Sequence, residues 1–161
     1  VYGGDAVYHL TYRGDAPTVE ALEAPGPAYN TPIMGIDDRG RVHALYLKTV
    51  YEPGDNGTQA VATLRYARQT PQGWRFESLP YTPVYPFGYE MVVAADGMLY
   101  VYTQEGTMIL VQPSPEGYKP AGQSTISAGT NEHWAHPTIA NGRLYVRHGD
   151  VLLVYDVRSG S

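Results

Sequence analysis

His133, Trp134 and His136 form the densest group of chemically capable side chains in this sequence. Imidazoles ligate metals and move protons near neutral pH, and an indole offers a large flat face with one polar edge. In an extended segment side chains alternate, so Trp134 and His136 share one face and His133 points to the other. The two histidines then do not converge on one ion, and no spacing supplies the further ligand that a metal site needs. Two readings stay open. Either the segment enters an inner strand with Trp134 packed between sheets, or it faces a ligand.

His43 stands within an alternating run, as a half-buried sheet residue or as a catalytic base. Asp37-Asp38 is an acidic doublet in a turn, and paired carboxylates bind calcium or serve as acid and base. Arg39 and Arg41 follow at once without calcium-loop spacing, which favours a plain turn. Tyr81 to Tyr89 is aromatic and proline-rich; Tyr85 and Tyr89 could stack on a sugar or peptide, or pack as a connection. His9 and His148 have no partner in the pattern, and His148 falls in a hairpin turn where solvent is expected. Nothing matches a nucleophile elbow, a phosphate loop or a metalloprotease helix. The ligand-binding candidates are therefore Trp134, His133, His136, His43, Tyr85 and Tyr89, with no catalytic set, no metal set and no cofactor.

The elements that must position these residues recur. Ala94-Ala95-Asp96-Gly97-Met98-Leu99-Tyr100-Val101-Tyr102 is echoed by Ile139-Ala140-Asn141-Gly142-Arg143-Leu144-Tyr145-Val146-Arg147, and Gly97 and Gly142 stand 45 residues apart. Asp-Gly and Asn-Gly favour type I′ hairpin turns, and an alternating strand follows each. A looser copy, Ile36 to Tyr46, aligns Gly40 with those glycines, Val42 with Leu99 and Leu144, and His43 with Tyr100 and Tyr145. Gly40 precedes Gly97 by 57 residues, which predicts an insertion, placed at the polar, turn-rich Tyr51–Thr58. Eighteen glycines and 13 prolines punctuate the gaps, and no segment carries a helical period. The expectation is an all-β fold of antiparallel β-propeller blades: a half blade over 1–28, a blade over 29–80 inserted at 51–58, a blade over 81–128 and a partial blade over 129–161. About three and a half blades fall short of a closed ring, so a missing segment or a copy of the chain is expected to complete it.

Composition sets outer bounds. The 161 residues carry a formal charge of −5, which argues against a nucleic-acid partner. The absence of cysteine excludes disulfides, thiolate metal sites and cysteine nucleophiles. No apolar run is long enough to span a membrane, no signal peptide is visible, and Val1 suggests a processed or excised start. Fifteen tyrosines against two phenylalanines suit pleated, half-buried surfaces, and also binding surfaces.

The segments His133–Arg147 and Val154–Gly160, with Ser114–Lys119, resemble the PQQ-like repeats of bacterial outer-membrane assembly lipoproteins and quinoprotein dehydrogenases, over roughly residues 88–161. Ile36–Tyr46, Leu64–Arg68 and Gly73-Trp74 are similar to repeats of sialidase-like propellers, without the aspartate box before Trp74. These resemblances imply a non-enzymatic scaffold outside the cytoplasm, periplasmic or secreted, that binds a protein or a glycan or supports assembly. They leave open a portion of a carbohydrate-active enzyme, sialidase-like or lyase-like, and a structural subunit of a ring or filament. Tryptophan-docking repeats and the cysteines of cofactor-bearing quinoproteins are missing, so no quinone is expected.

Overall fold

A computed structural model describes residues 6–12, 17–23, 29–79, 88–114 and 117–158. They fold as all-β, in four antiparallel sheets that follow one another along the chain. The first sheet pairs β1 (Tyr8–Tyr12) with β2 (Pro17–Ala21). The second is a meander of β3 (Tyr29–Ile36), β4 (Val42–Gly54), β5 (Gly57–Thr70) and β6 (Gly73–Ser78). The third repeats that order with β7 (Tyr89–Val93), β8 (Leu99–Thr103), β9 (Thr107–Ser114) and β10 (Gly117–Thr125). The fourth holds β11 (Thr138–Ala140), β12 (Arg143–His148) and β13 (Val151–Asp156). Among the described residues no helix is long and apolar enough to cross a membrane.

The turns show why the sequence folds this way. Gly40 N–H donates to the Asp37 carbonyl, and Gly97 N–H donates to the Ala94 carbonyl, at 3.0 and 2.9 Å. Gly40 and Gly97 have φ of +73° and +88°, while Asp96 stays at negative φ. Each is a four-residue turn closed by a left-handed glycine, not the type I′ turn expected at Asp96-Gly97, because an extra residue leaves only the glycine to reverse the backbone. Asn141-Gly142 does have positive φ at both residues, as type I′ requires. Tyr51–Thr58 is no loop either. Tyr51 pairs with Ala60 and Gly54 with Gly57, so only Asp55-Asn56 turns and the added residues lengthen β4 and β5 into one projecting hairpin.

Strand parity then decides packing. On β8, Leu99 and Val101 face the second sheet and join Leu45, Leu47, Leu64 and Met91 in one core. Tyr100 and Tyr102 face the fourth sheet and meet Leu144 and Val146. On β4, Ala44 and Tyr46 turn back to Val7 and Leu22 beside the first sheet. β4 and β8 are thus buried on both sides, and each sheet lies face-on to the next. The first strands of successive sheets also touch, β3 against β7 and β7 against β11. A Cβ on Gly35 of β3 would stand 2.5 Å from Val93 Cγ2 on β7. Gly35→Val is therefore expected to destabilise the fold by about 1–3 kcal/mol through overpacking, read as a lower urea midpoint.

The stack ends in two open faces. Tyr8, Leu10 and Val19 are exposed on the first sheet, and Leu152 and Val154 on the fourth. Arg65 and Lys48 of the second sheet clamp Glu23, which follows β2, and tie the first sheet down.

Candidate functional site

The second and third sheets meet around a buried polar network. The Asp37–Gly40 turn places the Asp37 carboxylate under β4, where its side chain has no solvent exposure. Its Oδ1 accepts from the amides of Arg39 and Arg41 at 3.0 and 2.9 Å. Its Oδ2 accepts from Arg41 Nε at 2.6 Å and from His43 Nε2 at 3.3 Å. Burial pushes the Asp37 carboxyl up, but the Arg41 amide and guanidinium, His43 and the Arg39 amide outweigh it and hold it at about 2. An ionised carboxylate only accepts, so His43 Nε2 carries the hydrogen. Burial lowers the His43 pKa against the opposing pull of Asp37, which keeps the ring neutral. Its Nδ1 then accepts from the Tyr66 hydroxyl at 2.6 Å. Burial raises the Tyr66 pKa, so the phenol stays protonated as that donor.

This chain of Asp37, His43 and Tyr66 has the order of a proton relay but not the access. His43 is 1% exposed and Tyr66 is equally buried, and both imidazole nitrogens are engaged. The network secures a turn and a strand face. A cleft above it, between β4, β5, the β7–β8 turn and β9, opens outward, lined by Arg41, His43, Arg68, Asp96, Met98 and Gln112 among others.

The connection between β10 and β11 holds the second group. His133 and His148 stack with ring centroids 3.6 Å apart, and the Tyr102 hydroxyl bonds His133 Nδ1. Burial lowers the His133 pKa, with His148 adding to the effect, and burial raises the Tyr102 phenol to about 12. His148 is buried rather than solvated: Nδ1 lies 2.8 Å from the Ala128 carbonyl and Nε2 2.7 Å from that of Asn131. The reason is that the β12–β13 turn folds under this connection instead of projecting from it. A Cβ on Gly106 would collide with the His133 ring, so that glycine admits it.

The predicted residues therefore separate. His133 is drawn inward and Trp134 and His136 point out, as strand-like alternation requires. Trp134 is 68% exposed, so it does not pack between sheets. His136 meets Glu90 of β7 at 2.7 Å. Tyr89 is buried in the core between the second and third sheets and offers no surface to a ligand. Tyr85 lies outside the described residues. His43 sits far from the His133 group, in another inter-sheet space. Among the described residues no three metal-ligating side chains gather. The sequence reading missed Tyr66 and Arg68; the signal was a charged residue closing the alternating run Leu64-Arg65-Tyr66-Ala67-Arg68.

No family model, no curated protein and no solved structure matches this chain.

Proposed function

We propose that this chain is a section of a β-propeller that works as a non-enzymatic scaffold outside the cytoplasm. It binds a protein or a glycan through exposed side chains such as Trp134 and His136, and its open end faces join further sheets, supplied by copies of the chain. One observation carries this reading. His43, Tyr100 and Tyr145 occupy equivalent places on the strand after a glycine-containing turn, and the first two are buried toward the following sheet. Tyr145 looks the same way from the fourth sheet, beside exposed Val154, where the described residues supply no further sheet. The side-by-side order of β3, β7 and β11 suits inner strands around an axis. The resemblance of residues 88–161 to PQQ-like repeats supports the same reading. Enclosure of His43 favours a scaffold over a carbohydrate-active enzyme, since a base without access to substrate does no chemistry.

Light scattering after size exclusion tests it. The expected mass is a multiple of 17.7 kDa, with Tyr145→Asp shifting the population toward one chain. A soluble single chain at every concentration would overturn completion by copies.

A further inference from the structure

We infer that the cleft between the second and third sheets binds a carboxylate group, with Arg68 and Arg41 as its cationic walls. Arg68 projects from β5 and is 8% exposed. Its Nη2 donates to the Ser114 carbonyl at 2.9 Å, while its Nε has no hydrogen-bond partner. No carboxylate among the described residues pairs with it. A guanidinium taken out of water without a counter-ion is costly to keep, and five N–H donors in a fixed fork are costly to leave unused. Its position on the wall of an open cleft marks where a counter-ion enters from outside.

Arg41 completes the recognition surface. It spends Nε on Asp37, and its terminal nitrogens reach across the cleft toward the β7–β8 turn, where a Cβ on Gly97 would stand 3.7 Å from Nη2. The left-handed φ of Gly97 favours a residue without a side chain there, so the floor beneath Arg41 stays open. His43 forms the base but is occupied on both nitrogens, so it neither donates to the ligand nor adds charge.

Charge and volume select the ligand. Asp37 already balances Arg41, and Glu77 of β6, which pairs across from Tyr66, stands near Arg68 without an ion pair to it. Asp96 stands at the rim, its Oδ1 accepting from the Met98 amide. With Asp96 and Glu77 both near, a singly charged group that takes the free donors of the Arg68 fork is repelled less than a dianion such as a phosphate monoester. The space is about 120 Å³, on the order of four water volumes. That admits a carboxylate with a short carbon stem, either a free small acid or an acidic side chain of a polypeptide. The site depends only on packing of the second sheet against the third, not on how the stack closes.

The test is titration with sodium acetate against sodium chloride at equal ionic strength, followed by NMR shifts of arginine Nε–H signals. Parallel titrations use the capped peptide acetyl-Gly-Glu-Gly-amide and its glutamine counterpart. Saturable shifts with acetate and none with chloride are expected, and Arg68→Met should weaken acetate binding roughly tenfold or more. Arg68→Met should also melt no lower than the parent in chloride, since it removes an uncompensated charge. Arg68→Lys keeps the charge, loses the fork and should bind more weakly than the parent, which preserves the test if the methionine variant does not fold. Tighter binding of the glutamate peptide than of acetate points to a polypeptide ligand, and equal binding to a free small acid. Both support a carboxylate site. Acetate shifts no different from chloride, or undiminished in both Arg68 variants, would overturn it. So would a much lower melting temperature of a folded Arg68→Met, which would make Arg68 a structural cation with an internal partner.

Discussion

Asp37→Ala is expected to cost about 3–5 kcal/mol, a large share of the roughly 5–15 kcal/mol that holds a domain folded. The carboxylate accepts four hydrogen bonds from three residues, so its loss leaves the Arg41 amide and the His43 N–H without a partner. Urea unfolding near neutral pH measures the cost. Acid measures the charge separately. The Asp37 carboxyl is held at about 2 in the fold against 3.8 in the unfolded chain. A group depressed in the folded state stabilises fully above its unfolded value and loses that contribution as pH falls through the folded one. Asp37 therefore supplies about 2 kcal/mol above pH 4 that fades toward pH 2. His43 acts in a different window. Its folded pKa is depressed below 6.5, so its contribution to stability begins to fall as pH drops through that value. Asp37→Asn should flatten the stability profile below about pH 4 and extend the upper slope to lower pH, because the neutral amide no longer opposes the effect of burial on His43. A variant as acid-sensitive as the parent in the lower window would show that the turn does not depend on this charge.

The same network shows how far sequence alone reaches. Alternation, glycine-closed turns and the absence of a helical period made the all-β class legible, because strand pairing is a local consequence of period and turn chemistry. Parity also separated His133 from Trp134 and His136. What stayed hidden depends on neighbours distant in sequence. Asp37 has the residue type of any turn former, and what distinguishes it is the pairing of β4 with β5, which brings Tyr66 beside His43. The second copy of this turn has Ala94 at the corresponding place and no such network. Tyr51–Thr58 contains Pro53, Gly54 and Gly57 and so carries the marks of a loop, yet Pro53 pairs opposite Thr58 in a projecting hairpin. Proline is tolerated there because the hairpin tip has no third strand asking for its missing N–H. His148 read as solvated because its turn is polar, while burial came from a connection that starts about 20 residues earlier.

Burial on both sides of β4 and β8, against one covered face on each end sheet, explains why stability and assembly are separable in this chain. Interior sheets contribute two apolar faces, and the end sheets contribute one face each and leave the other to solvent or to a neighbour. Substitutions on the covered faces thus report folding, and substitutions on the open faces report association. Trp134 and His136 lie on neither kind of face, so their replacement should disturb binding without disturbing either.

Leu99→Ala and Leu152→Ala turn that distinction into numbers. Leu99 is fully buried on β8, in the core that joins the second and third sheets. Its truncation removes apolar contact from the centre of the stack, where two packed sheets cannot easily close a cavity, and should cost about 2–5 kcal/mol. Leu152 on β13 is the same residue type at 61% exposure. In a dilute single chain its truncation should change stability by less than about 0.5 kcal/mol. If copies join through the fourth sheet, the same change becomes costly, because Leu152 then leaves water with Tyr145 and Val154. The decisive comparison is thermal unfolding of Leu152→Ala across a wide range of protein concentration. A deficit relative to the parent that grows with concentration identifies the open face as an interface. A deficit that stays small at all concentrations assigns that face to solvent, while Leu99→Ala stays destabilised throughout because its contacts lie within one chain.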